Sequence, residues 1–159
     1  MRRLMKFLHT MGAIGLIGSM ACLVVLIAFT SEAPSINNQA LLRVAMGGIT
    51  TWIFLPSLGL TLVAGLLAIA VNRAFHSAGW AWAKLATGIL TFEWGFTAVL
   101  GPMQEQAELG ARLLAGQVDA VSLAEPLGAD RNSLFVLIAV ATVNVVLGVW
   151  RPRFTNLPD

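Results

Sequence analysis

Four long apolar segments take up most of this chain, and the charges between them are sorted by sign. Arg2, Arg3, Lys6, Arg73, Arg151 and Arg153 fall on one set of connections. Glu32, Glu105, Glu108, Asp119, Glu125 and Asp130 fall on the other. A helix needs about 20 consecutive apolar residues to cross the hydrocarbon core of a bilayer. Lysine and arginine collect on the cytoplasmic side of such helices. Together these rules predict an all-α polytopic membrane protein, a four-transmembrane-helix bundle in the inner (cytoplasmic) membrane with both termini inside.

Composition agrees with this reading and narrows it. Of 159 residues, 57% are hydrophobic and 11% are charged, whereas soluble domains carry about 25% charged residues. One membrane domain accounts for residues 1–159 and leaves no length for a soluble catalytic domain. The net charge of +2 is small, and its basic residues sit where membrane topology wants them, so nucleic acid is not an expected partner. The single cysteine, Cys22, lies inside the first apolar run and excludes an internal disulfide framework. The basic N-terminus resembles a signal peptide, but its apolar run continues to about Phe29. That is longer than a signal core, so a retained span is expected.

The expected spans are residues 4–29, 48–71, 80–100 and 133–150, with an extracytoplasmic segment at 101–132. The second apolar run begins earlier, near Leu41, so its first part should lie at or beyond the interface. Gly47-Gly48 is a possible break, and Pro56 should kink the span by freeing a carbonyl. Trp80 and Trp82 mark a water interface. Gly101-Pro102 should stop the third span. Met103, Leu109, Leu113 and Leu114 then recur at near-helical spacing, which predicts an amphipathic helix over about Gln104–Gly116, resting on the membrane or capping the bundle. Asn132 or Ser133 should cap the last span. Gly15-x-x-x-Ser19 and Ser57-x-x-x-Thr61-x-x-x-Gly65 are small-residue ridges suited to close helix packing within the bundle or to a dimer interface.

Polar residues inside the apolar runs carry the functional information, because an ionisable group in hydrocarbon costs about 2.5–3.5 kcal/mol. His9, Lys84 and Asn144 come from three different spans. At 1.5 Å per residue, each lies roughly 6–9 Å below the cytoplasmic boundary. This trio is the one constellation that could hold a cofactor or relay a proton, although a lysine at that depth can also snorkel to the interface. Glu93 lies deeper, toward the outer leaflet. A carboxylate there should protonate or find a partner, and Arg43 is the expected one, with Thr50, Thr51 and Trp52 as further donors. Two histidines and one cysteine make no recognisable zinc site, and the identity of any metal stays unknown. No serine stands in a nucleophile elbow. The Glu105/Glu108 pair reads as a solvated helix face rather than an acid/base dyad.

The stretch Lys6-Phe-Leu-His9-Thr-Met-Gly12-Ala13 resembles the K-x-L-H-x-x-G-A opening of an uncharacterised domain-of-unknown-function family of small predicted membrane proteins. Trp52 to Leu66, with Pro56 and Gly65, is similar to that family's second span, and Trp94, Pro102 and Gln104 to its third-span exit. Ser57 and Ala64 stand where the family has glycine and threonine, and the acidic segment before the last span is not covered. A more distant likeness is to four-span haem-associated proteins, the copper-resistance D type and the HemJ-type protoporphyrinogen oxidases. Those also open with K-x-x-H and carry a lysine after a tryptophan in the third span, positions matched here by His9 and Lys84. The oxidases' tryptophan and L-P-R segment of span one are missing.

Three functions are therefore open. The first is an accessory or structural component of a larger membrane complex, or a homo-oligomer, surrounded by lipid and without a catalytic site of the soluble type. The second is a b-type haem protein, with His9 as axial ligand, Lys84 at a propionate or as second ligand, and Asn144 in support. The third is a proton-coupled transporter using Glu93. Inverted repeats would favour the last, and none is apparent.

Overall fold

A computed structural model of the chain describes residues 2–72, 76, 79–123 and 127–150. Arg73, Glu125, Arg151 and Arg153 lie outside the described residues, so the charge pattern at those connections is not part of the architecture below. Every regular element among the described residues is helical. Six α-helices follow one another: α1 (Arg2–Ser31), α2 (Ile36–Ile49), α3 (Leu55–Val71), α4 (Gly79–Gly95), α5 (Gly101–Leu114) and α6 (Gly128–Trp150). Three helical stretches, Arg3–Ser31, Ile36–Val71 and Asp130–Trp150, are long and apolar enough to cross a membrane.

α2 and α3 form one rod, and so do α4 and α5. Each rod has a single widened π turn at its middle, Thr50–Phe54 in the first and Phe96–Leu100 in the second. Proline explains both. Pro56 and Pro102 have no N–H and would clash with the carbonyl four residues back. In each rod the helix widens just before the proline, so that Leu55 donates to Thr50 and Gly101 donates to Phe96, five residues back. The expected stop at Gly101-Pro102 is therefore no stop. The helix passes through it, as it passes through Gly47-Gly48.

The two rods part at their π turns. On one side, α2 and α5 pack tightly together as a cap over the end of the bundle remote from the N-terminus. On the other side, α3 and α4 diverge and are joined by α1 and α6. Ser35 opens α2 by accepting from the Asn38 backbone N–H, an N-cap that satisfies one orphan donor. The expected amphipathic helix is α5, and it packs on α2 through Met103, Gly110 and Leu113, all buried. α6 begins at Gly128, earlier than the expected Ser133, with Asp130 in its first turn complementing the helix dipole.

The small-residue ridges join α1 to α3 inside the bundle. A Cβ at Gly12 would come within 2.9 Å of the Thr61 backbone nitrogen, and one at Gly15 would collide with the Ser57 side chain. Gly18, outside the ridge, has nothing within 4 Å. The core runs from Leu16, Met20, Leu23 and Ile27 of α1 to Phe54, Val99 and Met103 at the π turns and Leu134 and Leu137 of α6. Met20, Leu23, Phe54, Val99, Met103 and Leu134 are fully buried.

Candidate functional site: a chamber between four helices

Below the π turns the helices leave an open-sided pocket between them. A cavity of about 390 Å³ lies between α1, α3, α4 and α6, within the range of small-molecule sites. Glycines help to make the space, since Gly65, Gly88 and Gly148 all line it. A Cβ on Gly88 would meet nothing closer than Asn144 Nδ2 at 4.0 Å, and one on Gly65 would only touch the His9 ring at 3.5 Å.

His9, Lys84 and Asn144 all line this chamber. The sequence placed them at one depth, and the structure brings them to one cavity. His9 Nδ1 lies 2.8 Å from the Thr61 carbonyl of α3. A carbonyl only accepts, so Nδ1 carries the proton and donates, which leaves Nε2 with its lone pair. Metal-binding imidazoles are commonly oriented by this contact, in which one ring nitrogen donates to a backbone carbonyl and the other stays basic. Thr61 also donates its own hydroxyl to Ser57 O at 2.7 Å. One turn of α3 thus holds both the Gly12 contact and the imidazole.

Asn144 supports the chamber by joining two of its helices. Its Nδ2 donates to Lys84 O at 3.0 Å and to Thr87 Oγ1 at 2.7 Å. The amide is spent on tying α6 to α4, and it fixes the register of the two helices around the chamber. Lys84 reaches across the same interface until its Nζ lies against Gly148 of α6, where a Cβ would displace it. The lysine thereby stands in the chamber wall. Lys6 and Asn72 complete the polar lining at the N-terminal end.

Arg43 and Glu93 are not brought together. Arg43 is 3% exposed and sits in the cap, where it donates to Gln106 Oε1 of α5 and, at 2.9 Å, to Leu123 O. Leu123 ends a short 3-10 turn, Ala120–Leu123, that folds over the cap. Thr50 donates to Met46 O, Thr51 accepts from Gln104, and Trp52 is 80% exposed, so the further donors expected for Glu93 are directed elsewhere too. Glu93 itself is exposed on α4, between the exposed Leu90 and Trp94, and is not among the residues that line the chamber.

Sequence reasoning missed the Arg43–Gln106–Leu123 cluster and the chamber's glycines. The amphipathic face of α5 was the available signal for the first, since a buried arginine needs a polar partner on whatever helix covers it. No group of three or more His, Cys, Asp or Glu that could hold a metal occurs among the described residues. No family model, curated protein or solved structure matches this chain.

Proposed function

We propose that this protein is a four-span inner-membrane protein, with both termini in the cytoplasm, that holds an amphiphilic ligand in the chamber between its helices. The fourth span in this reading is Gly79–Leu100, α4 with its π turn, about 33 Å long at 1.5 Å per residue. Arg3 and Lys6 at the start of α1 support the orientation. One observation carries the functional part: a 390 Å³ cavity with His9, Lys84 and Lys6 toward one end and apolar walls beyond them. The pocket is open-sided, with exposed Lys6, Leu66, Val71 and Val145 at its margin, so an amphiphile can enter it. An accessory role in a membrane complex is compatible with holding a ligand and needs no catalytic group.

The test is extraction of whatever stays with the protein after purification in mild detergent, compared with Gly88→Leu, which places a branched side chain in the chamber. An amphiphile enriched over a detergent blank, and lost from Gly88→Leu without loss of helicity, is the expected result. Wild-type protein that matches the blank would remove the reading.

A second reading has its own observation. The Nδ1 contact of His9 with Thr61 O leaves the Nε2 lone pair for a metal, and the lining also offers the amine of Lys84. A b-type haem would be held here by His9 Nε2, with Lys84 pairing with one of its carboxylates. Haem would supply one-electron chemistry, while the chain would fix the imidazole and exclude water. An absorption spectrum before and after dithionite tests it. A Soret band absent from His9→Ala would support it, and the same band in His9→Ala would end it.

A further inference from the structure

We infer that the chamber's ligand is a single-chain amphiphile with an anionic head, a carboxylate or a phosphate monoester, held with the head toward the N-terminal end of the bundle. This rests on the ligand-holding reading above and adds the chemistry and direction of the occupant.

Charge decides the head. Lys84 and, at the exposed mouth, Lys6 are the cations that line the chamber, beside the neutral His9 imidazole, and no acidic side chain is among the described lining residues. All three belong to its N-terminal end: Lys6 and His9 are on the first turns of α1, and Lys84 is on the second turn of α4. Between apolar walls the effective dielectric is well below that of water, so a cation there attracts an anion more strongly than at a wet surface. A charge-assisted hydrogen bond to a carboxylate or phosphate follows the same logic. Asn144 acts as a positioning residue, because its amide is spent on Lys84 O and Thr87 Oγ1.

Hydrophobicity decides the tail. Past the level of His9 the walls are Leu16, Ile17, Leu58 and Ala141. Thr61 and Thr91 also line the chamber, but their hydroxyls donate to Ser57 O and Thr87 O of their own helices. The far half therefore offers a tail no uncommitted donor, and burying apolar surface there stabilises a bound chain.

Length follows from helix geometry. Past the head, the lining on α1 runs from His9 to Ile17, about 12 Å at 1.5 Å per residue. An extended chain advances about 1.2 Å per bond, as the reach of an extended backbone implies. The chamber thus accommodates about ten bonds past the head, a tail of about 10–12 carbons.

Equilibrium binding to the full chain, delipidated and placed in nanodiscs of zwitterionic lipid, tests this. The probes are straight-chain carboxylates of graded length, the alkyl phosphates and the primary alcohols of the same lengths. Binding should be tightest near the length given above, with either anion preferred over its alcohol about tenfold or more. The carboxylate and phosphate arms then decide between the two heads. Lys84→Gln should abolish the preference for an anion, and Lys84→Arg should keep it. Ala141→Phe should shorten the preferred chain and leave the anion preference intact. Alcohols that bind as well as acids would overturn the head assignment while leaving the ligand-holding reading in place, and an absence of length dependence would overturn the tail. Failure of every probe would overturn this inference and the parent reading together.

Discussion

The cap and the chamber are built from the same two rods and end up opposite in character. Above the π turns, α2 and α5 touch backbone to backbone. A Cβ at Gly110 would lie 2.7 Å from Ala40 O, and one at Gly47 would collide with Ala107. Below the π turns, α3 and α4 separate, and the glycines at 65, 88 and 148 face a cavity or a lysine. Glycine in the cap removes space between helices, while glycine in the chamber creates it. The difference lies in what stands opposite. A carbonyl or a methyl group of the neighbouring rod meets Gly110 and Gly47, while Gly48 and Gly101 of the same helices face open space, and the widened turns at Pro56 and Pro102 carry the rods apart below. Where a protein packs one half this tightly and leaves the other open, the open half is the place to look for function.

The cap should be the most sensitive to substitution. Arg43→Met removes the donor to Gln106 and Leu123 from a buried site, with an expected loss of about 3 kcal/mol, since hydrogen bonds to charged groups are worth about 1.5–3 kcal/mol each. Thermal unfolding in detergent reads it, and an unchanged midpoint would mean that the cap does not depend on its arginine.

Glycines then sharpen the comparison by sign. Gly110→Ala should destabilise by about 1–3 kcal/mol, because the Ala40 carbonyl cannot swing away as a side chain can. Gly88→Ala meets nothing within van der Waals contact and should stabilise by up to about 1 kcal/mol through helix propensity. Two shifts of the same sign would erase the contrast between the halves. The smallest effect belongs to His9. His9→Ala should cost about 1 kcal/mol, the worth of the bond to Thr61 O, while ligand retention falls by far more. A large stability loss with unchanged retention would make His9 a packing residue.

Much of this was legible in the sequence, for identifiable reasons. Apolar length and charge sorting depend on local composition, so the helical runs were readable. Rise per residue alone puts His9, Lys84 and Asn144 at one level, since helices are rigid rulers, and all three line one pocket. The small-residue ridge of α3 announced a close neighbour, and α1 supplies it. Other features needed the fold. Pro102 reads locally as a stop, but a widened turn lets the helix pass, a choice set by the packing of α5 on α2. The partner of Arg43 could not be read by depth, because Gln106 and Leu123 belong to the cap that folds over it rather than to a span at its level. Asn144 reads from its type and level as support for the site, and only the geometry shows what it supports, since its Nδ2 is committed to Lys84 O and Thr87 Oγ1 of α4. The chamber depends on side chains that are absent, a quantity that no single segment encodes.

Native mass spectrometry of the protein released from mild detergent tests the central claim most directly. An open-sided, ligand-holding lower half should yield one tightly retained amphiphile per chain in the wild type and in Gly110→Ala, and none in Gly88→Leu with helicity preserved. A bare chain mass for the wild type under the gentlest release, or retention undiminished in Gly88→Leu, would contradict the claim that the chamber is what this protein is built to provide.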